Sequence, residues 1–234
     1  MPVEKNDIDI SKLFEWGKKF TVNWKDKTLD VYIRLVGDAE LNRSRVFGLR
    51  KSAELRRKLS DYNSEERLAY IPDFQAVTKE GIVGALISYS REDYIEEAVK
   101  NVEIKKPKEL ASDAKLEEQE KHQKEVDEYP DKRNRAILEY ITKKFEAKKK
   151  ELEVLPKKDL YDRFATAAIN EVCRGEFLKS FRTMSTYFGS YKDEKFTERL
   201  CNSFEEFDNL PTDVKAQLID SYTTLEIPTE DLKA

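Results

Sequence analysis

This sequence predicts an α+β fold that is predominantly α-helical, and three observations carry the prediction. Two short runs, Phe20-Thr-Val-Asn-Trp24 and Leu29–Val36, alternate apolar and polar residues with the period of half-buried strands. From Asp38 onward, apolar residues recur at helical spacing in one segment after another. With seven glycines in 234 residues, the loops have to be short or polar. The expected architecture is a small N-terminal β-hairpin packed on helices, then a charged helical excursion and a C-terminal helical unit. The boundaries fall at 1–106, 107–155 and 156–234.

Ile8–Lys18 reads as a first short helix carrying Ile10, Leu13 and Phe14, with Gly17 as its stop. The two alternating runs meet across the polar turn Lys25-Asp-Lys-Thr28, and Leu29, Val31, Ile33 and Leu35 share one face. A lone hairpin is marginal in water, so something must cover that face. The helix Asp38–Leu59 is the natural cover, with Asp38 as N-cap and Glu40 at the positive end of the dipole. At about 100° per residue, Ala39, Val46, Leu49 and Ala53 form one apolar sector and Leu41, Leu55 and Leu59 a second. Both sectors are expected to meet other structure, leaving a basic ridge free. Ser64–Ile71 is a short helix stopped by Pro72, and Phe74–Tyr89 suits either a strand or a buried helix. Ser90-Arg-Glu-Asp93 resembles a capping box before Tyr94–Val102.

Between Asp113 and Leu152 the chain carries 11 acidic and 11 basic residues, and apolar residues are sparse before Ile137. Tyr129-Pro130 is expected to break this stretch into two exposed helices, with disorder of Pro107–Tyr129 as the competing reading. Asp159–Tyr187 returns to the pattern of a buried helix through Leu160, Phe164, Ala167, Ala168, Val172 and Phe177. Leu210-Pro211 sets up the last helix, Thr212–Leu225, with Val214, Leu218, Ile219 and Tyr222 inward.

Charge and motif content exclude several function classes. The 43 basic and 47 acidic residues leave a net charge of −4, so nucleic-acid or membrane binding gains nothing from bulk charge. No dinucleotide or P-loop glycine pattern occurs, and Gly81-Ile-Val-Gly84 has no lysine after it. The single histidine, His122, lies among charged residues with no second histidine to complete a metal site. No cofactor or metal is expected, and no catalytic residues are assigned. Cys173 and Cys201 lack metal or redox spacing and read as buried, reduced thiols. The chain shows neither a leader-like apolar stretch nor a run long enough to span a bilayer, so a cytoplasmic location is expected.

Two sets of residues stand out as candidates for partner binding. Arg43, Arg50 and Arg57 recur every seven residues on the predicted helix, with Phe47 interleaved. Such a ridge suits an acidic partner or phosphate; it is also what a solvated face looks like when its arginines pair internally, Arg50 with Glu54 for example. Given the negative net charge, a protein partner is the better fit. The second set is the aromatic cluster Tyr187, Phe188 and Tyr191, flanked by Phe196, which fits either core filling or a docking surface.

The order of parts resembles the tail assembly chaperones and accessory tail proteins of tailed bacteriophages. The likeness rests on Phe20-Thr-Val-Asn-Trp24 through Arg34-Leu-Val-Gly-Asp-Ala-Glu-Leu-Asn-Arg43, and on Leu200-Cys-Asn-Ser-Phe-Glu-Glu-Phe207 leading into Leu210-Pro211 and Thr212–Leu225. These stretches cover about a third of the chain, and the likeness is one of layout. The charged stretch Asp113–Leu152 departs from the family's pattern. The resemblance implies a non-enzymatic factor of the host-cell cytoplasm that binds tape measure and tail tube proteins and has no catalytic residues. A structural virion subunit of the tail or neck, or a small nucleic-acid-associated protein using the basic helix, are the alternative readings.

Overall fold

In the computed structural model, which describes residues 17–24, 27–107, 110 and 116–226, the predicted hairpin is present and sits within an α+β, mostly helical fold. Strands β1 (Gly17–Trp24) and β2 (Lys27–Arg34) pair antiparallel, with Phe20 opposite Val31 and Val22 opposite Leu29. The expected first helix, Ile8–Lys18, falls outside the described residues except for Gly17 and Lys18, which begin β1. The helices that follow are α1 (Asp38–Ser60), α2 (Glu65–Tyr70), α3 (Lys79–Tyr89), α4 (Arg91–Asn101), α5 (Leu116–Glu153) and α6 (Lys157–Gly189). Then come a two-residue strand, β3 (Ser190–Tyr191), and the helices α7 (Phe204–Asp208) and α8 (Thr212–Glu226).

Two compact units divide the chain differently from the three sequence segments. One is drawn from residues up to Lys58 and from Val172 onward; the other is Leu59–Glu171. In the first unit, β3 adds antiparallel to β2, placing Tyr191 opposite Tyr32 and Ser190 opposite Ile33. The C-terminal helices therefore close on the N-terminal hairpin instead of forming a separate module. Val22, Val31 and Ile33 are fully buried against Cys201, Phe207, Val214, Leu218 and Tyr222, so α8 supplies the cover that the hairpin needs. The side chain of Gln217 on α8 completes the edge strand, accepting from the Asn23 backbone N–H at 2.9 Å and donating to its carbonyl at 3.0 Å.

The second unit buries Ile71, Ile82, Val83, Leu152, Leu160, Phe164, Ala165 and Ala168. Ser64 caps α2 by accepting from the Arg67 backbone N–H. The buried Arg67 side chain reaches back to the Leu59 carbonyl at 2.6 Å and lies 4.2 Å from the Tyr62 ring. Of the ambiguous Phe74–Tyr89, Lys79–Tyr89 is helix, with Thr78 capping α3 through the Gly81 N–H, and the residues before it form a turn. Ser90 is the N-cap residue of α4 but makes no side-chain cap; its hydroxyl bonds the Leu86 carbonyl.

The charged stretch needs correcting. Pro130 does not break it: α5 runs for 38 residues straight through that position. Nor does 107–155 stand apart from the cores, because α5 packs on α3 and α4 and its Leu152 is part of the second unit's core. Proline removes one intrahelical bond and crowds the preceding turn, worth about 3 kcal/mol against the helix. Packing along the C-terminal half holds α5 together regardless. Glu97 of α4 takes a hydrogen bond from Tyr140 at 2.7 Å and an ion pair from Lys144 at 2.6 Å. Phe145 meets Tyr94 at 5.6 Å between ring centroids.

Candidate functional site

Which face α1 buries decides what it can present. The inward line is Leu41, Ser44, Gly48, Ser52 and Leu55: the small Ser44 and Gly48 are buried, and Leu41, Ser52 and Leu55 half-buried. Gly48 lies against Phe177 of α6, so close that a Cβ there would sit 2.9 Å from the Phe177 carbonyl oxygen. The Ser52 hydroxyl donates to the Cys173 carbonyl at 2.8 Å. Small residues one turn apart let two backbones approach; larger ones would hold them off. That close approach turns the other apolar sector outward. Ala39, Val46, Leu49 and Ala53, expected to meet other structure, are all solvent-exposed, Val46 at 46% and Leu49 at 56%.

The arginines flank this uncovered seam. Arg43, Arg50 and Arg57 lie on one side of it and Arg45 on the other, all exposed and none in an ion pair among the described residues. Glu54, the partner expected for Arg50, pairs with Lys51 at 3.7 Å instead. Phe47 sits half-buried at the base of the ridge, edge-on to Phe204 with ring centroids 4.9 Å apart and the Lys51 ammonium 5.7 Å from its ring. Asn42, Arg43, Val46, Phe47, Arg50 and Met184 line a shallow groove of ≈ 440 Å³.

The aromatic cluster has a different role. Tyr191 is 4% exposed and cannot serve as a docking residue; Tyr187 and Phe188 are half-buried. Their rings surround Arg199, whose guanidinium lies 5.6, 5.2 and 5.7 Å from the centroids of Tyr187, Phe188 and Tyr191. Arg199 pairs with Glu40 at 2.9 Å, and Glu40 also holds Arg34 at 3.1 Å. Arg34 in turn donates to the Tyr191 hydroxyl at 2.7 Å. Burial works against the charge of Arg34, but the Tyr191 hydroxyl and the Glu40 carboxylate outweigh it and raise its pKa above the ordinary value. The cluster thus locks the start of α1 to β2 and to the segment after α6, an internal role. Phe204 touches both Phe47 and Tyr187 and so joins the two predicted sets.

Val46 and Leu49 are the site residues that periodicity misplaced. Their signal was present in the Ser44-x-x-x-Gly48-x-x-x-Ser52 spacing, which marks the closely packed face and so the opposite, exposed one. A second apolar groove, in the other unit, runs between α3, α4 and α5 past Gly84, Ile87, Ile95, Leu138, Ile141 and Phe145. Both thiols are buried: desolvation, reinforced by Glu206, pushes Cys201 up to about 11, and desolvation also raises Cys173 against the pull of Arg56. Among the described residues no helix is long and apolar enough to cross a membrane. No protein family, curated protein or solved structure matches this chain.

Proposed function

We propose that this protein is a non-enzymatic protein-interaction factor that holds its partner on the outer face of α1. The observation that carries this reading is the exposed seam of Ala39, Val46, Leu49 and Ala53, flanked by arginines that make no ion pair among the described residues. An aliphatic line with a charged rim has the anatomy of a protein interface: an apolar centre that excludes water and a polar border. The layout resemblance suggests the narrower reading, a tail assembly chaperone of a tailed phage that keeps the tape measure protein soluble and meets tail tube subunits in the host cytoplasm. Contact with nucleic acid through the same arginines is the weaker reading. The net charge is −4, and aliphatic side chains occupy the ground between the arginines, where phosphate contact would call for more cations.

Co-expression with the tape measure protein of the same genome tests this reading. The client's soluble yield rises, and the two proteins co-elute in size-exclusion chromatography. Replacing both Val46 and Leu49 by glutamate abolishes co-elution while the chain stays folded. Recovery of this protein in stoichiometric amounts from purified mature virions would replace the chaperone with a structural subunit.

A further inference from the structure

From the placement of charge around the α1 seam we infer the class of partner: an amphipathic helix with acidic residues along both edges of its apolar face. The inference rests on the docking role proposed for α1 and narrows it. Laid on a seven-residue repeat, α1 puts Ala39, Val46 and Ala53 at one core position and Asn42, Leu49 and Arg56 at the other. Arg43, Arg50 and Arg57 then all fall at a single flanking position, directly beside the seam, and Arg45 falls at the opposite flank. In a two-helix seam these flanking positions face their counterparts on the other helix and select it by charge.

The charge count over α1 sharpens the choice. Seven basic residues face three acidic ones within α1, in a chain that is negative overall. All three acids lie off the seam or are already engaged. Asp38 and Glu40 belong to the first turn, Glu40 is bonded to Arg34 and Arg199, and Glu54 is paired with Lys51. No carboxylate on α1 is left to neutralise Arg43, Arg50 or Arg57. A second copy of α1 is therefore a poor occupant, since antiparallel pairing would set the three arginines against their equivalents. A partner helix carrying Glu or Asp at those positions completes them instead. From Ala39 to Ala53 the seam spans about 21 Å at 1.5 Å per residue, four turns of a partner. A strand would not match it: Val46, Leu49 and Ala53 follow the three-and-four spacing of helix teeth.

The test uses the full chain and two synthetic helical peptides of about three heptads, with leucine at both core positions. One carries glutamate at the flanking positions and the other lysine, and binding is read by fluorescence anisotropy. The glutamate peptide should bind at least roughly tenfold more tightly than the lysine peptide, and its affinity should fall as salt rises from about 50 to about 500 mM. Leu49→Glu should abolish binding, and joint replacement of Arg43, Arg50 and Arg57 by glutamate should reverse the peptide preference, with circular dichroism confirming that both variants remain folded. Equal affinity for the two peptides, or binding of neither, overturns the inference. So does tighter binding of a DNA oligonucleotide than of the glutamate peptide, or a dimer in sedimentation that Leu49→Glu dissociates. If the arginine reversal leaves co-elution with the tape measure protein intact while Leu49→Glu destroys it, the docking face stands and the acidic partner is ruled out.

Discussion

Replacing Gly48 by alanine sets two effects of opposite sign against each other. In a helix interior, alanine is favoured over glycine by about 1 kcal/mol, because glycine loses more backbone freedom on folding. At Gly48, however, the new Cβ would lie 2.9 Å from the Phe177 carbonyl oxygen and 3.0 and 3.2 Å from two carbons of its ring. An oxygen fixed in the backbone of α6 cannot swing aside as a flexible side chain does, so α1 and α6 must separate locally. Overpacking of that kind costs about 1–3 kcal/mol, which cancels or exceeds the helix gain. Gly175 is the internal control: it lies in α6 with nothing within 4 Å of a built Cβ, so Gly175→Ala should keep the full gain. Urea titrations followed by circular dichroism should place Gly48→Ala below wild type by up to about 2 kcal/mol and Gly175→Ala above it by about 1 kcal/mol. If Gly48→Ala stabilises as much as Gly175→Ala, the helices do not approach as described, and the reason given for the outward turn of Val46 and Leu49 fails.

Three further outcomes concern Pro130, Cys201 and Leu49. Pro130→Ala should raise helix content and stability by up to about 3 kcal/mol, since α5 is continuous through that position; unchanged helicity would mean that the helix is broken there. Cys201 should resist alkylation at about pH 8 in the folded chain and react on unfolding, because its native pKa stands at about 11 against an ordinary value of 9.0. Its contribution to stability is whole below the unfolded pKa and disappears as pH rises toward 11, where the unfolded chain has already released the thiol proton and the native one has not; a native thiol that titrates near 9 contradicts this. Leu49→Glu should change folding stability by no more than about 0.5 kcal/mol, as expected for an exposed position, and a loss of several kcal/mol would show that the seam is covered.

Elements with a strong local period were legible in the sequence. The hairpin showed in the alternation from Phe20 to Val36, and α1, α6 and α8 lay within one to a few residues of their expected bounds. What escaped was what tertiary context decides. A two-residue strand such as Ser190–Tyr191 has no period to read, yet it joins the ends of the chain into one unit. Pro130 carries a real local penalty that the contacts of Glu97, Tyr140 and Lys144 override. On α1, hydrophobicity pointed to Val46 and Leu49 as buried, whereas the helix buries Ser44 and Gly48 and half-buries Ser52, because the closeness of the Phe177 backbone rewards small size over apolar character. The arginine row was visible from its seven-residue spacing. The aromatic row was visible too, but nothing local revealed that Arg199 fills the space between its rings.

The exposed seam of α1 is the proposed docking face. Site-specific photo-crosslinking during co-expression with the tape measure protein examines it most directly, with a photoreactive phenylalanine analogue placed in turn at positions 46, 49 and 138. Leu138 is the control, an exposed apolar residue of the other unit. Crosslinks to the proposed client are expected from positions 46 and 49 and none from 138. Crosslinking from 138 alone would place the partner on the α3–α5 groove and contradict the assignment of α1.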